Sequence, residues 1–202
     1  MNKSCPPLTK REQIVQAARK LFLESGYETT SMDALATEAN VSKRTVYSYF
    51  ANKEELFSAI MQTLCSESSC THPSELHGDM PPEKALREFA CNMVGLKQSP
   101  EENGVFRVVL AEGIKFPELG KAFWNNGPEP AKQILAAYLA KQVKLGVLKI
   151  DDTGIAAMQF IGMVKHPHSM PELFGFTEPA SDEERQRALD QAISIFLKGT
   201  RV

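Results

Sequence analysis

Residues 30–53, TSMDALATEANVSKRTVYSYFANK, leave few options for how they fold. Two short helical patterns meet at a tight turn. In the first, Met32, Leu35, Ala36 and Ala39 share one face, and Thr30 followed by Asp33 approximates a capping box that satisfies free N–H groups at a helix start. Asn40-Val41 breaks the period, and asparagine is one of the few residues that tolerate a left-handed turn conformation. Ser42 restarts a helix as its N-cap, with Val46 and Phe50 one turn apart on the face to be buried. At about 100° per residue from Val46, Arg44 and Ser48 fall on the opposite side, flanked by Thr45 and Tyr47. A helix of two turns does not stand alone in water. It must pack on the first through Val46 and Phe50, turning a small, polar, basic face outward. That is the design of a helix-turn-helix whose second helix enters the DNA major groove.

The flanking sequence supplies the remaining walls. Thr9-Lys10-Arg11-Glu12 is a capping box, followed by the apolar stripe Ile14, Ala17, Ala18, Leu21 and Phe22, and Gly26 is placed to end that helix. Asn52-Lys53-Glu54-Glu55 opens a fourth helix with Leu56, Phe57, Ile60, Met61 and Leu64 facing inward. Residues 66–81 are polar, with glycine and proline, and mark a boundary. Helical patterns then cover 83–98, 103–115, 117–125, 129–145, 153–165 and 182–198. Gly199 is expected to end the last one, and 166–179 reads as a loop broken by proline and glycine. No strand pattern persists, so the fold class is all-α. A three-helix helix-turn-helix domain over 1–60 precedes a helical-bundle domain over 61–202.

Charge adds one constraint. The chain of 202 residues has a net charge of −2, with eight basic against seven acidic side chains through residue 60. DNA affinity must therefore come from contacts placed on one face rather than from bulk attraction. No apolar run precedes the first helix and none approaches 18 residues, so neither a secretory leader nor a membrane span is expected, and the cytoplasm is the expected compartment. Four cysteines are too few for a disulfide scaffold. Cys65-x4-Cys70-x-His72-x4-His77 lacks the paired spacing of structural zinc sites and reads as polar linker. A redox switch through Cys65 and Cys70 is the sharper alternative. There is no glycine-rich phosphate loop, GxSxG elbow or HExxH helix. No catalytic residue, metal or cofactor is expected.

Thr29-Thr30, Ala34-Leu35-Ala36, the run Val41 to Phe50 and Asn52-Lys53-Glu54-Glu55-Leu56 resemble the DNA-binding domain of the tetracycline-repressor (TetR) family. The resemblance covers roughly the first 60 residues. Arg44 departs from it, standing where the family most often carries glycine, and so changes which bases can be read. Residues 104–148 resemble the AefR-like C-terminal subgroup of that family, through Phe106-Arg107 to Glu112, Phe116-Pro117-Glu118-Leu119, Phe123 and Gly146-Val147-Leu148. Together they imply a dimeric repressor released from DNA by a small-molecule inducer, with no indication of which molecule. An activator that needs its ligand to bind DNA is the other possibility.

Candidate DNA contacts follow. Lys43 and Arg44 occupy the first turn of the second helix, where side chains reach base edges, and arginine suits bidentate bonding to guanine. Thr45 reaches a thymine methyl or a phosphate. Tyr47 and Tyr49 offer hydroxyls to phosphate oxygens, a role the resemblance gives to matching tyrosines. Thr30, Ser42 and Lys53 lie at helix starts, where a phosphate is favoured. The plain alternative is a solvated helix face with two surface tyrosines. For an inducer pocket the large, deformable or aromatic side chains are Met93, Phe106, Phe123, Trp124, Tyr138, Met158, Phe160 and Met163. Such stripes also serve as plain core. Arg107 is read as a charge inside an apolar helix, holding an anionic ligand or bridging to Glu112. The last two helices, 153–165 and 182–198, are expected to pair with their mates in a homodimer, with Ile193, Phe196 and Leu197 offering apolar area. Two-fold symmetry would then set half-site centres of a palindromic double-stranded operator about 34–36 Å apart, or a multiple.

Overall fold

In the computed structural model, described over residues 8–67, 76, 78–94, 100–175 and 180–202, the elements are α-helices. In chain order they are α1 (Lys10–Ser25), α2 (Met32–Glu38), α3 (Lys43–Tyr49), α4 (Lys53–Glu67), α5 (Pro82–Val94), α6 (Pro100–Glu112), α7 (Pro117–Asn126), α8 (Pro128–Lys144), α9 (Thr153–Phe174) and α10 (Asp182–Thr200). The fold is all-α, and the extended pairing among the described residues is a single bridge between Leu148 and Arg201. No helix among these residues is long and apolar enough to cross a membrane.

Local chemistry explains most of the boundaries. Thr9 and Glu12 cap α1 reciprocally, Thr9 Oγ1 accepting the Glu12 N–H and Glu12 accepting the Thr9 N–H at 2.8 Å. Ser181 and Glu184 do the same for α10. Asn40 takes φ 51° after α2, with Asn40 N–H donating to the Thr37 carbonyl and Val41 N–H to that of Ala36. This paired closure satisfies carbonyls that a helix end otherwise leaves open. Gly146 ends α8 in the same way at φ 72°, with Val147 N–H donating to Gln142.

Several elements depart from the expectation: α6, expected over 103–115, spans Pro100–Glu112. α9 does not stop at residue 165 but continues through Pro167 and Pro171 to Phe174, where Gly175 caps it at φ 71°. An interior proline costs roughly 3 kcal/mol in an isolated helix. Here Leu173 and Glu172 are buried, and Glu172 is ion-paired to Arg185, which holds the added turns in place. α10 likewise runs past Gly199 to Thr200, because Lys149 N–H donates to the Thr200 carbonyl and draws the end against residues 148–149. Asn52 caps α4 as expected, but its partner Glu55 reaches back to Ala51 N–H, one residue earlier than a standard box.

Packing divides the described residues into two units. The first takes residues up to 64 together with 104–126, so α7 and most of α6 group with the N-terminal helices rather than with the rest of 61–202. Its core holds Ile14, Phe22, Tyr27, Leu35, Val46, Phe57 and Leu119. The second takes 65–103 and 127–202, centred on Leu86, Phe89, Leu139, Phe160, Leu189 and Phe196. Ile193, Phe196 and Leu197 are only 3%, 6% and 5% exposed within this core. They are not the apolar surface expected of them: they face α5 and α9 inside the subunit, because the α10 stripe is satisfied by its own chain. The exposed apolar side chains on α9 and α10 are Ile155, Met170, Phe174 and Ile195.

Candidate nucleic-acid interface

The two helices α2 and α3 form the expected helix-turn-helix. Val46 and Phe50 are 0% and 4% exposed, and the guanidinium of Arg11 on α1 lies 5.4 Å over the Phe50 ring. Ser42 Oγ accepts the Thr45 N–H at 3.1 Å and shares a 2.8 Å hydrogen bond with the Thr45 hydroxyl. Because Ser42 closes one of the free N–H groups of a two-turn helix, Ser42→Ala is expected to destabilise the protein by about 1 kcal/mol. The midpoint of denaturant unfolding measures this, and an unchanged midpoint would mean the cap contributes nothing.

The outward face of α3 carries Lys43, Arg44, Ser48, and Tyr47 and Tyr49, both tyrosines 47% exposed. Tyr49 is therefore as open as Tyr47. Lys43 Nζ lies 2.6 Å from Asp33 Oδ1 on α2, and the hydrogen bond it donates to that carboxylate, together with the carboxylate's charge, raises the lysine pKa above the usual value. Ser48 donates to the Thr45 carbonyl at 2.7 Å. This cluster presents cations, hydroxyls and a helix start side by side, which suits phosphates and base edges.

Two expected contacts sit elsewhere. Thr30 does not cap α2 and is 4% exposed, its hydroxyl donating to the Gly26 carbonyl at 2.7 Å. The cap is Ser31, which accepts the Ala34 N–H at 3.1 Å and remains exposed. The branched Thr30 side chain fills the corner below α1, while its neighbour does the capping. Sequence reasoning passed over Ser31, although a serine directly before the apolar period was signal enough. Lys53 turns inward as well: its ammonium donates to the carbonyls of Tyr27 at 2.7 Å and Glu28 at 3.1 Å and stands 4.6 Å over the Tyr27 ring. Partial burial lowers its pKa.

The proposed ligand-lining side chains fall in both units. In the first, the Phe106 and Phe123 rings stack at 5.0 Å, half-buried, while Trp124 is 42% exposed. Arg107 is exposed rather than buried, because it lies on the outer side of α6. Glu112 is not held for it: both its oxygens accept backbone N–H groups, from Tyr27 and Glu28, each at 2.8 Å. In the second unit Tyr138 is core, donating to the Met80 carbonyl at 2.7 Å, and burial pushes its hydroxyl pKa up to about 12. Phe160 is wholly buried, and Met163 packs half-buried on the same core. Met158 lines an open groove of about 540 Å³ with Lys132, Asp152, Gly154, Ile155 and Gln159. The Met93 side chain, that of Cys65, and residues Cys70, His72 and His77 lie outside the described residues.

Comparison with known proteins divides the chain in sequence order, with residues 104–126 in the C-terminal match. The family model described as "Bacterial regulatory proteins, tetR family" matches residues 14–60. That described as "AefR-like transcriptional repressor, C-terminal domain" matches residues 84–199. The HTH-type transcriptional regulator YhgD of Bacillus subtilis (strain 168) is 47% identical over 60 residues, which is 30% of this chain and only 31% of YhgD. A TetR family transcriptional regulator from Pseudomonas syringae pv. tomato str. DC3000 is 31% identical with a TM-score of 0.76, covering 96% of this chain and 97% of that one. The flavonoid-responsive regulator FrrA is also 31% identical, with a TM-score of 0.75 and coverage of 95% and 97%.

Proposed function

Since the chain belongs to the TetR family of DNA-binding transcriptional regulators, we propose that it is a homodimeric repressor that binds a palindromic operator and leaves it when a small molecule binds. The observation that carries this is the exposed α3 face, with Lys43, Arg44, Tyr47 and Tyr49 set outward by a buried Val46 and Phe50. In this reading Lys43 and Arg44 reach base edges, while Ser42, Thr45, Tyr47 and Tyr49 position the helix on phosphates. Thr30 and Lys53 act behind the face, as supports, since their polar atoms are already engaged. Residues 1–60 form the reading domain and 61–202 serve ligand binding and dimerisation.

A second copy of the chain would dock on α9 and α10. Ile155, Met170, Phe174 and Ile195 supply the apolar area, and side chains added at Gly162 or Gly199 would meet nothing within 4 Å, which leaves room for close approach. For the inducer we favour an aromatic compound, with a flavonoid as the first probe because FrrA, similar along its whole length, is flavonoid-responsive. The stacked Phe106 and Phe123 rings, with the exposed Trp124 beside Phe123 in sequence, are the side chains proposed to meet it. Ligand binding that favours the DNA-incompetent conformer by about 1.4 kcal/mol releases the operator tenfold.

Lys43→Ala combined with Tyr47→Phe tests the site. The double variant is expected to bind a selected operator about 10–100-fold more weakly, as loss of one cation and one phosphate hydroxyl implies, with helicity and oligomeric state unchanged. Normal operator affinity in that variant would overturn the assignment. An activator would instead gain DNA affinity on adding ligand, and a redox sensor would lose its response when Cys65 and Cys70 become serine.

A further inference from the structure

Resting on that DNA-binding reading, we infer that Glu112 is a positioning residue for operator recognition, fixing the reading helices through the peptide groups of Tyr27 and Glu28. These two peptides join α1 to α2, and they are gripped from both sides. Their N–H groups donate to the Glu112 carboxylate at the end of α6, each at 2.8 Å. Their carbonyls accept from the Lys53 ammonium at the start of α4, at 2.7 and 3.1 Å. One acid and one base from different helices therefore hold the same dipeptide.

The surroundings make the grip tight. A Cβ on Gly26, whose φ is already +86°, would come within 2.9 Å of a Glu112 oxygen, so the carboxylate is nested against bare backbone. Lys115 pairs with the Glu28 side chain, and the Phe116 ring meets the Tyr27 ring edge-on at 5.2 Å. The sequence run from Glu112 to Glu118, which resembles a C-terminal domain signature, thus closes on the loop that starts the helix-turn-helix. Three residues beyond Glu28, Ser31 caps α2, and α3 packs on α2. Where the dipeptide sits decides where both helices begin.

Glu112 adds a charge and two charge-assisted bonds at the edge of the core, not apolar area. What it fixes is geometry. Base contacts depend on sub-ångström placement of α3, whereas non-specific attraction to phosphates depends on charge and tolerates a shifted loop. Loss of Glu112 should therefore reduce discrimination between DNA sequences more than it reduces DNA binding as such.

The test uses the full chain and a duplex that wild-type protein enriches from random DNA. Affinities for that duplex and for a scrambled duplex of equal length are measured across a salt series. Glu112→Ala is expected to weaken binding to the selected duplex roughly tenfold or more, with the scrambled duplex bound within about twofold of wild type and an unchanged salt slope. Glu112→Gln keeps one oxygen to accept an N–H and should fall between. Amide exchange at Tyr27 and Glu28 should quicken in both variants. Equal affinities in all three proteins overturn the inference, and so does a parallel loss on both duplexes, which is ordinary destabilisation. If the wild type enriches no duplex, the operator reading fails and takes this inference with it.

Discussion

Arg185→Ala is expected to lower the unfolding free energy by about 3–5 kcal/mol, more than any exposed charge in the chain. Arg185 Nη2 lies 2.7 Å from Glu172 Oε1, with the two side chains only 8% and 5% exposed. The same carboxylate oxygen accepts the Ala180 N–H at 3.1 Å, and Arg185 Nε donates to the Ala180 carbonyl at 3.1 Å. Removing the guanidinium takes the opposite charge away from a buried carboxylate, and the ion pair that ties the end of α9 to the start of α10 is lost. A charge in such surroundings must be rehydrated or protonated, and either route disturbs the turns of α9 beyond Pro167. The paired replacement Glu172→Leu with Arg185→Met removes both charges and is expected to be close to neutral, since what destabilises is the orphaned partner and not the missing pair. Denaturant midpoints of the single and double variants decide this. The pair Lys43–Asp33 is the internal control. With side chains 59% and 66% exposed it is screened by water and salt, and Asp33→Ala should cost less than about 1 kcal/mol. If Arg185→Ala costs no more than Asp33→Ala, the buried pair does not hold the two helices together.

The exposed face of α3 was legible in the sequence because everything that shapes it is local. Ser42, Asn40, Val46 and Phe50 act within one or two turns of where they stand, and a two-turn helix has a single face it can bury. The terminal caps at Thr9 and Ser181 were readable for the same reason. What the pattern did not disclose is which partner each face meets. The apolar stripe of α10 is expected from its pattern to serve a second copy, yet Ile193, Phe196 and Leu197 are core of their own subunit. Arg107 and Glu112 sit in one apolar helix, so a mutual bridge was a natural guess. The actual acceptor role of Glu112 lies 84 and 85 residues away, at backbone N–H groups that leave no mark in a sequence. Lys53 misled in the same way, since its partners are carbonyls. Prolines at 167 and 171 read as breakers because propensity is a local quantity, whereas the contacts that carry α9 past them, such as Glu172 with Arg185, are not.

The same gap between local pattern and distant partner sets up the second large effect, Phe57→Ala. Phe57 on α4 is 1% exposed, with its ring 6.2 Å from that of Phe22 on α1 and 6.0 Å, edge-on, from that of Tyr27. Tyr27 in turn stands 5.1 Å from Phe22 and 5.2 Å from Phe116 in the turn before α7. Deleting the wholly buried Phe57 ring leaves a cavity against the Phe22 and Tyr27 rings, so a cost of about 3–5 kcal/mol is expected. Phe57→Leu keeps much of the volume and should cost roughly half as much. The more informative measurement is amide exchange along the chain. Since residues 104–126 pack into one core with the N-terminal helices, protection in α1 and α7 should fall together in Phe57→Ala, by similar factors. A variant in which α1 loosens while α7 keeps its full protection would show two independent cores. The ring of Phe116 would then be a contact on the surface of the reading domain and not a part of what stabilises it.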